Sequence, residues 1–440
     1  MEEKKKMGLI SIILFGINGI IGSGIFLLPG KVYTQVGTKS ILIYVLATLL
    51  VLSILLCFAE AGGMFNRNGG AYLYAKEAFG EFVGFEVGVM SWVIRMISWS
   101  TLAVGFATAL GVFWPAAANE YKGIVSSALV IGLALNSLFG VKKIEVINNI
   151  STVGKLVPLI LFVVVGLFFI KPGNIFTQEG PALTTSAIGP AVILVFYAFT
   201  GFESFVVATG EMENPKKNLP RALMATLAVS AIMYILIQIV CVGVLGTNLA
   251  ENSTPIADAS DVFLGGYGKV FIGIATLISI FGINIGSSMV TPRCASSLAE
   301  DGLLPEFMGR TNKYGSPYIA TILSVCICIP LVLSGSFEQL AVMSVVARFA
   351  QYIPTCLSIL VLRKRDDIQG TFRVPFGPVV PIVAVLGSIW LLQQAWVQDM
   401  GLPFFQNRVL CGLGAMILII PLYFFMKKYR KEDKKDLLGV

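Results

Sequence analysis

Apolar residues in this 440-residue chain gather into long runs, and polar residues are mostly confined to the shorter stretches between them. A helix crosses about 30 Å of hydrocarbon with roughly 20 apolar residues. Twelve runs approach that length, at approximately 8–30, 40–64, 82–112, 123–140, 148–170, 188–210, 221–246, 267–297, 317–334, 338–362, 378–400 and 407–427. None shows the period-2 alternation of a membrane β-barrel strand, and helices and closed barrels are the only spanning solutions. The pattern predicts an all-α integral membrane protein with 12 transmembrane helices in one domain, residues 1–440. Two polar, Pro- and Gly-rich stretches, "GEMENPKKNLPRAL" and "AEDGLLPEFMGRTNKYGSP", read as ordered connections.

Two runs interrupt themselves. The first contains "GINGIIGSGIFLLPG", residues 16–30, with glycines at 16, 19, 22, 24 and 30. A glycine inside a helix costs about 1 kcal/mol relative to alanine. Small residues also let membrane helices approach closely. A deliberately broken helix, in contrast, predicts a second break at a corresponding place. The sixth run supplies one in "FTGFE", residues 199–203. Runs one and six open two successive five-helix sets, about 8–170 and 188–362, and cross in opposite directions; helices 11 and 12, about 378–427, follow. Interrupted segments at matching places of two inverted halves point to a transporter's binding site. Breaking run one near Gly22–Gly24 frees amides that suit a carboxylate. Breaking run six near Phe199–Gly201 frees carbonyls that suit an ammonium. A pocket with both ends fits an α-amino acid zwitterion.

Composition agrees. The chain is 56% hydrophobic with a mean hydropathy of +0.83, and only 13% of its residues are charged, against about 25% in soluble domains. It has no histidine. The seven cysteines mostly fall inside apolar runs and form no CxxC pair, so they read as small buried hydrophobes, with no metal site or disulfide framework. The N-terminal run is too long for a signal peptide and reads as a mature helix. If the N-terminus is cytoplasmic, Lys4–Lys6, Arg67, Lys76, Lys142, Lys143, Lys216, Lys217, Arg221, Arg293, Arg310, Lys313, Arg363–Arg365, Arg373 and the tail "KKYRKEDKK" fall on one side of the membrane, and the other holds little beyond Lys31, Lys39, Lys122, Lys171, Lys269 and Arg408. By the positive-inside rule both termini are cytoplasmic. The rule also accounts for the net charge of +7 without a nucleic-acid partner.

Some charges lie at membrane depth. Lys155 sits about 10 Å into run five at 1.5 Å per residue, where a charge is costly and points to function, or snorkels to the surface. Its ammonium could bind the free carbonyls of run one in the space a sodium ion fills in coupled transporters, and it could titrate. Glu60, Glu86, Arg95, Glu203 and Arg348 are also at or near that depth, and ion pairing is expected for most. Glu203, beside the break, would tie run six. Trp99, Phe199, Phe202 and Tyr234 are candidate pocket or gate aromatics.

"GINGIIGSGIFLLPG", "FYAFTGFESF", "GEMENPKKNLPRA", "GKLVP" and "RCASSLAEDGLLP" together resemble the amino acid–polyamine–organocation superfamily, in particular the L-type amino acid transporter branch and its bacterial relatives such as the alanine–serine–cysteine exchanger. The resemblance implies a LeuT-like fold of inverted repeats 1–5 and 6–10 plus helices 11 and 12. It implies sodium-independent exchange of small neutral L-amino acids by alternating access in a bacterial plasma membrane, without a cofactor. Carried over by motif, the substrate carboxylate would meet the amides of Ser23 and Gly24 beside Gly22. Its amino group would meet carbonyls at Ile20, Phe199 and Thr200 or Phe202 around Gly201, with Phe199 as the outer gate. Tyr234 would line the side-chain pocket. Lys155 would match the family's lysine at the sodium position, with Ser279, Ser287 and Ser288 as neighbours. The loop "FWPAAANEYKG" lacks the cysteine that joins animal light chains to a heavy subunit, so no disulfide-linked partner is expected. A proton-coupled symporter, a cationic amino acid or polyamine transporter, and an amino acid sensor or channel remain alternatives. A membrane enzyme would call for histidine, aspartate or cysteine clusters at one membrane face.

Overall fold

Each of the twelve apolar runs folds as helix, in a computed structural model that describes residues 6–65, 69–139, 144–176, 184–207, 209, 212–250, 252–368, 370, 372–404 and 406–438. Lys4, Lys5, Arg67, Lys142 and Lys143, on which part of the charge-bias reading rests, lie outside the described residues. The first helices are α1 (Leu9–Ile20), α2 (Ser23–Leu27), α3 (Pro29–Val36), α4 (Ser40–Met64), α5 (Ala71–Phe79) and α6 (Glu81–Leu110). Next come α7 (Pro115–Ala118), α8 (Lys122–Leu138), α9 (Ile144–Gly166), α10 (Pro172–Phe176), α11 (Thr185–Ala198) and α12 (Glu203–Val206). The chain ends with α13 (Pro215–Leu245), α14 (Pro255–Glu300), α15 (Tyr318–Ser334), α16 (Phe337–Leu362), α17 (Val379–Gln398) and α18 (Arg408–Leu438).

Among the described residues, seven helical stretches are long and apolar enough to cross a membrane: Pro29–Met64, Glu81–Leu110, Pro215–Leu249, Pro255–Glu300, Phe337–Leu362, Val379–Gln398 and Arg408–Tyr429. Five shorter apolar helices, Leu9–Ile20, Lys122–Leu138, Gly154–Phe169, Thr185–Ala198 and Tyr318–Ser334, occupy the remaining runs. Runs one and six are short because both are interrupted. Run eight starts earlier than its hydropathy indicates. Gly265, at φ 64°, ψ −165°, breaks α14, and a further helical piece from Pro255 precedes it.

The bundle buries its centre and exposes its rim. On α18 the apolar Leu418, Phe424 and Phe425 face outward, an arrangement that suits lipid, since hydrocarbon gives no drive to hide apolar side chains. Inside, α4 packs on α13, α6 on both α14 and α16, and α9 on α14. Polar side chains fasten these contacts. Trp92 Nε1 donates to Ser324 Oγ at 3.0 Å, and Asn284 Nδ2 donates to the Leu102 carbonyl at 3.1 Å. Arg363 donates from Nε and Nη2 to the two oxygens of buried Glu60, each at 2.7 Å, and the Val374 amide adds a bond at 2.6 Å. This cluster ties the end of α4 to the end of α16. The N-terminal segment is held through a bridge between Met7 and Met212, with the Glu213 amide 3.0 Å from the Met7 carbonyl.

Candidate substrate site

The helix of run one stops at Ile20. Ile21 (φ −73°, ψ 94°) and Gly22 (φ −126°, ψ −152°) are extended, and Ser23 begins α2. The first amides of a helix have no intrahelical acceptor, and no side chain caps α2. Run six stops at Ala198, turns through Phe199–Phe202 and restarts at Glu203.

The two breaks touch. Gly201 has φ 116°, and a Cβ there would lie 2.3 Å from the Gly19 carbonyl oxygen. Only glycine combines that dihedral with that approach. At Gly24 a Cβ would lie 2.7 Å from Ala198 Cα, so α2 and α11 meet backbone to backbone. Fully buried Tyr234 joins both breaks: its hydroxyl lies 3.0 Å from the carbonyls of Ile20 and Ala198, and its one proton serves either.

Charged groups hold each break from behind. Lys155, fully buried on α9, donates from Nζ to the carbonyls of Asn18 at 3.1 Å and Ile21 at 2.8 Å. These are carbonyls that the interruption leaves near the end of α1, and a charged donor to each makes a strong bond. Glu203 caps the second break by accepting from the Gly201 amide at 3.0 Å. The same carboxylate takes Arg348 Nε at 2.7 Å and the Tyr352 hydroxyl at 3.1 Å. Arg348 further donates from Nη1 to Ser344 and from Nη2 to Ser98 Oγ at 2.9 Å. The second break is thereby tied to α16 and α6.

A cavity of about 670 Å³ opens at the breaks. Gly22, Ser23, Gly24, Thr200 and Gly201 line its inner end, and Ser287 lies on its α14 wall. It continues along α6 and α14 to Tyr72, Val207 and Asp301, at the end of the bundle near the Met7–Met212 bridge. The opposite end is closed by aromatic packing. The Tyr197 hydroxyl is 3.1 Å from Ser23 Oγ, and its ring meets that of Phe337 edge-on at 5.8 Å.

Several residues sit elsewhere than the sequence reading put them. Phe199 does not line the cavity; its buried ring packs on Tyr234 at 4.9 Å, while Tyr197 lines the closed end. Phe202 stacks on Tyr352 at 5.6 Å and meets Phe58 edge-on at 5.4 Å, also away from the cavity. Tyr234 lies behind the breaks as their tie and does not line a side-chain pocket. The serines named as neighbours of Lys155 do not bond it. Ser279 Oγ is buried without a hydrogen-bond partner among the described residues, and Ser288 Oγ donates to the Ile285 carbonyl. Trp99 is fully buried and off the cavity. Among the partners left open, Glu60 pairs with Arg363 and Glu203 with Arg348, while both oxygens of buried Glu86 lack hydrogen-bond partners among the described residues. The sequence reading did not single out Tyr197, Ile283 or Gly286. The Gly282–Gly286 spacing on α14 marked a face without side-chain bulk, and both glycines line the cavity.

A family model described as amino acid permease matches residues 7–425. An uncharacterized transporter of Mycobacterium tuberculosis is 34% identical, over 88% of this chain and 86% of its own. The serine/threonine exchanger SteT of Bacillus subtilis is 29% identical over 97% of both chains. The branched-chain amino acid permease BcaP of the same species is 26% identical over 90% of this chain and 89% of its own. With the match spanning nearly every helix, the chain belongs to the amino acid permease family of the amino acid–polyamine–organocation superfamily and is a multi-pass membrane transporter, not an enzyme.

Proposed function

We propose that this transporter is a sodium-independent exchanger of small neutral L-amino acids such as alanine, serine and cysteine, working by alternating access. The observation that carries the reading is the Lys155 ammonium on the carbonyls of Asn18 and Ile21. A fixed cation at the interrupted helix does there what a bound sodium ion would otherwise do. The uncapped amides of Ser23 and Gly24 take the substrate carboxylate. The carbonyls of Ile20, Phe199 and Thr200 take its ammonium; the Ile20 carbonyl keeps a second lone pair beside Tyr234. The name of the relative SteT, a serine/threonine exchanger, favours exchange and small substrates.

The helix contacts support two inverted repeats. Exchanging the sets turns the α6–α16 contact into α14–α9, and α1–α13 into α11–α4; all four contacts are present. With both termini cytoplasmic, in the plasma membrane of a bacterium, the cavity's open end faces the cytoplasm. The protein works without a disulfide-linked heavy subunit, consistent with a loop before α8 that has no cysteine.

The test is uptake of radiolabelled L-alanine into proteoliposomes in sodium-free buffer, with vesicles preloaded with L-serine or empty. Uptake that requires the preload is the expected result. Equal uptake into empty vesicles makes the protein a uniporter or proton symporter, and no uptake removes the neutral amino acid reading.

A further inference from the structure

Arg95 stands apart from the other buried or half-buried arginines of the bundle. Arg348 is paired with Glu203 and Arg363 with Glu60, but no carboxylate pairs with Arg95 among the described residues. It lies midway along α6 and lines the cavity, half-buried. A cation at such depth is costly unless something answers it.

The neighbouring groups do not answer it. Ser98, three residues on, spends its hydroxyl proton on the Ile94 carbonyl at 2.7 Å and accepts from Arg348. Ser91, four residues back, donates to the Val87 carbonyl at 2.9 Å and accepts from Gln351 Nε2 at 3.0 Å. The Cys294 thiol of α14 lines the same cavity, and a thiol is a weak acceptor. The guanidinium therefore presents donors to the cavity in a fork that matches a carboxylate.

Its place along the path is also defined. A Cβ on Gly105 would lie 3.3 Å from Ser23 Cβ, so Gly105 marks the level of the uncapped amides on α6. Arg95 lies ten residues earlier, about 15 Å along the helix at 1.5 Å per residue, towards the open end. One amino acid carboxylate cannot touch both the Ser23 amide and Arg95.

We propose that Arg95 forms a second carboxylate-binding station in the cavity, which takes the α-carboxylate of an amino acid passing between the broken helices and the open end. The inference rests on the amino acid reading given above. The same unpaired cation repels cationic amino acids and polyamines, which sets the cavity against such substrates.

The test uses the full chain in proteoliposomes of uniform orientation, with L-serine varied on one face at a time. Arg95→Gln should raise KM at the face to which the cavity opens at least fivefold and leave KM at the other face within twofold. Arg95→Lys should recover most of the loss. An unchanged KM at both faces, or an equal rise at both, overturns the proposal. A second readout does not depend on the variant folding: in the wild-type protein, L-serine should slow alkylation of Cys294 by a maleimide, followed by mass spectrometry. Unaltered alkylation at saturating L-serine, with exchange intact, also overturns it. Failure of wild-type exchange would instead remove the amino acid reading itself.

Discussion

The ammonium of Lys155 lies 2.8 Å from the carbonyl oxygen of Ile21, the residue at which the first membrane helix loses its helical dihedrals. A charge on one helix thus stabilises the unwound backbone of another. Lys155→Ala removes both charge-assisted bonds, each worth about 1.5–3 kcal/mol. Transport should fall more than tenfold, since about 1.4 kcal/mol corresponds to a factor of ten, while the protein still elutes as a single detergent-solubilised species. Near-normal uptake by that variant would remove the lysine from the mechanism.

Tyr234 distinguishes a tie from a pocket wall. Tyr234→Phe leaves the buried carbonyls of Ile20 and Ala198 without their shared donor, a cost of about 1–3 kcal/mol. The thermal midpoint in detergent should drop and transport should slow. The relative rates for alanine, serine and valine should stay as in the wild type. A changed preference among them would mean that Tyr234 contacts the substrate side chain.

Gly201→Ala meets two obstacles, the φ of 116° and the Gly19 carbonyl 2.3 Å from the new methyl. Strain of this kind costs of order 1–3 kcal/mol from the dihedral alone. We expect poor recovery of folded protein and no measurable exchange. Wild-type uptake would show that the two breaks do not need to touch.

The Glu203–Arg348 pair should behave as a buried pair does. Glu203→Ala leaves Arg348 uncompensated and should cost about 3–5 kcal/mol, read as a lower thermal midpoint. The paired replacement Glu203→Leu with Arg348→Met should recover much of that stability. Transport should stay impaired, because the Gly201 amide has lost its acceptor. Full transport in the double variant would make the pair merely structural.

Part of this protein was legible in one dimension. The twelve helices follow from hydropathy, because hydrocarbon demands internal hydrogen bonding over a fixed thickness whatever the neighbours are. Both breaks were visible as well, because glycine weakens a helix locally. A charge placed at membrane depth, as at Lys155 or Glu203, declares itself because burying it there is costly. What no run of residues contains is the rotation of each helix about its axis and the identity of what packs against it. That rotation turns Phe199 onto Tyr234 and gives Tyr197 the closed end of the cavity. It also places Tyr234, which sequence position alone put in the pocket, behind two backbones that are far apart in the chain. Partner choice was equally hidden. Glu60 finds Arg363 and Glu203 finds Arg348 across more than a hundred residues, while Arg95 finds no carboxylate among the described residues, because each depends on which helix faces meet in three dimensions.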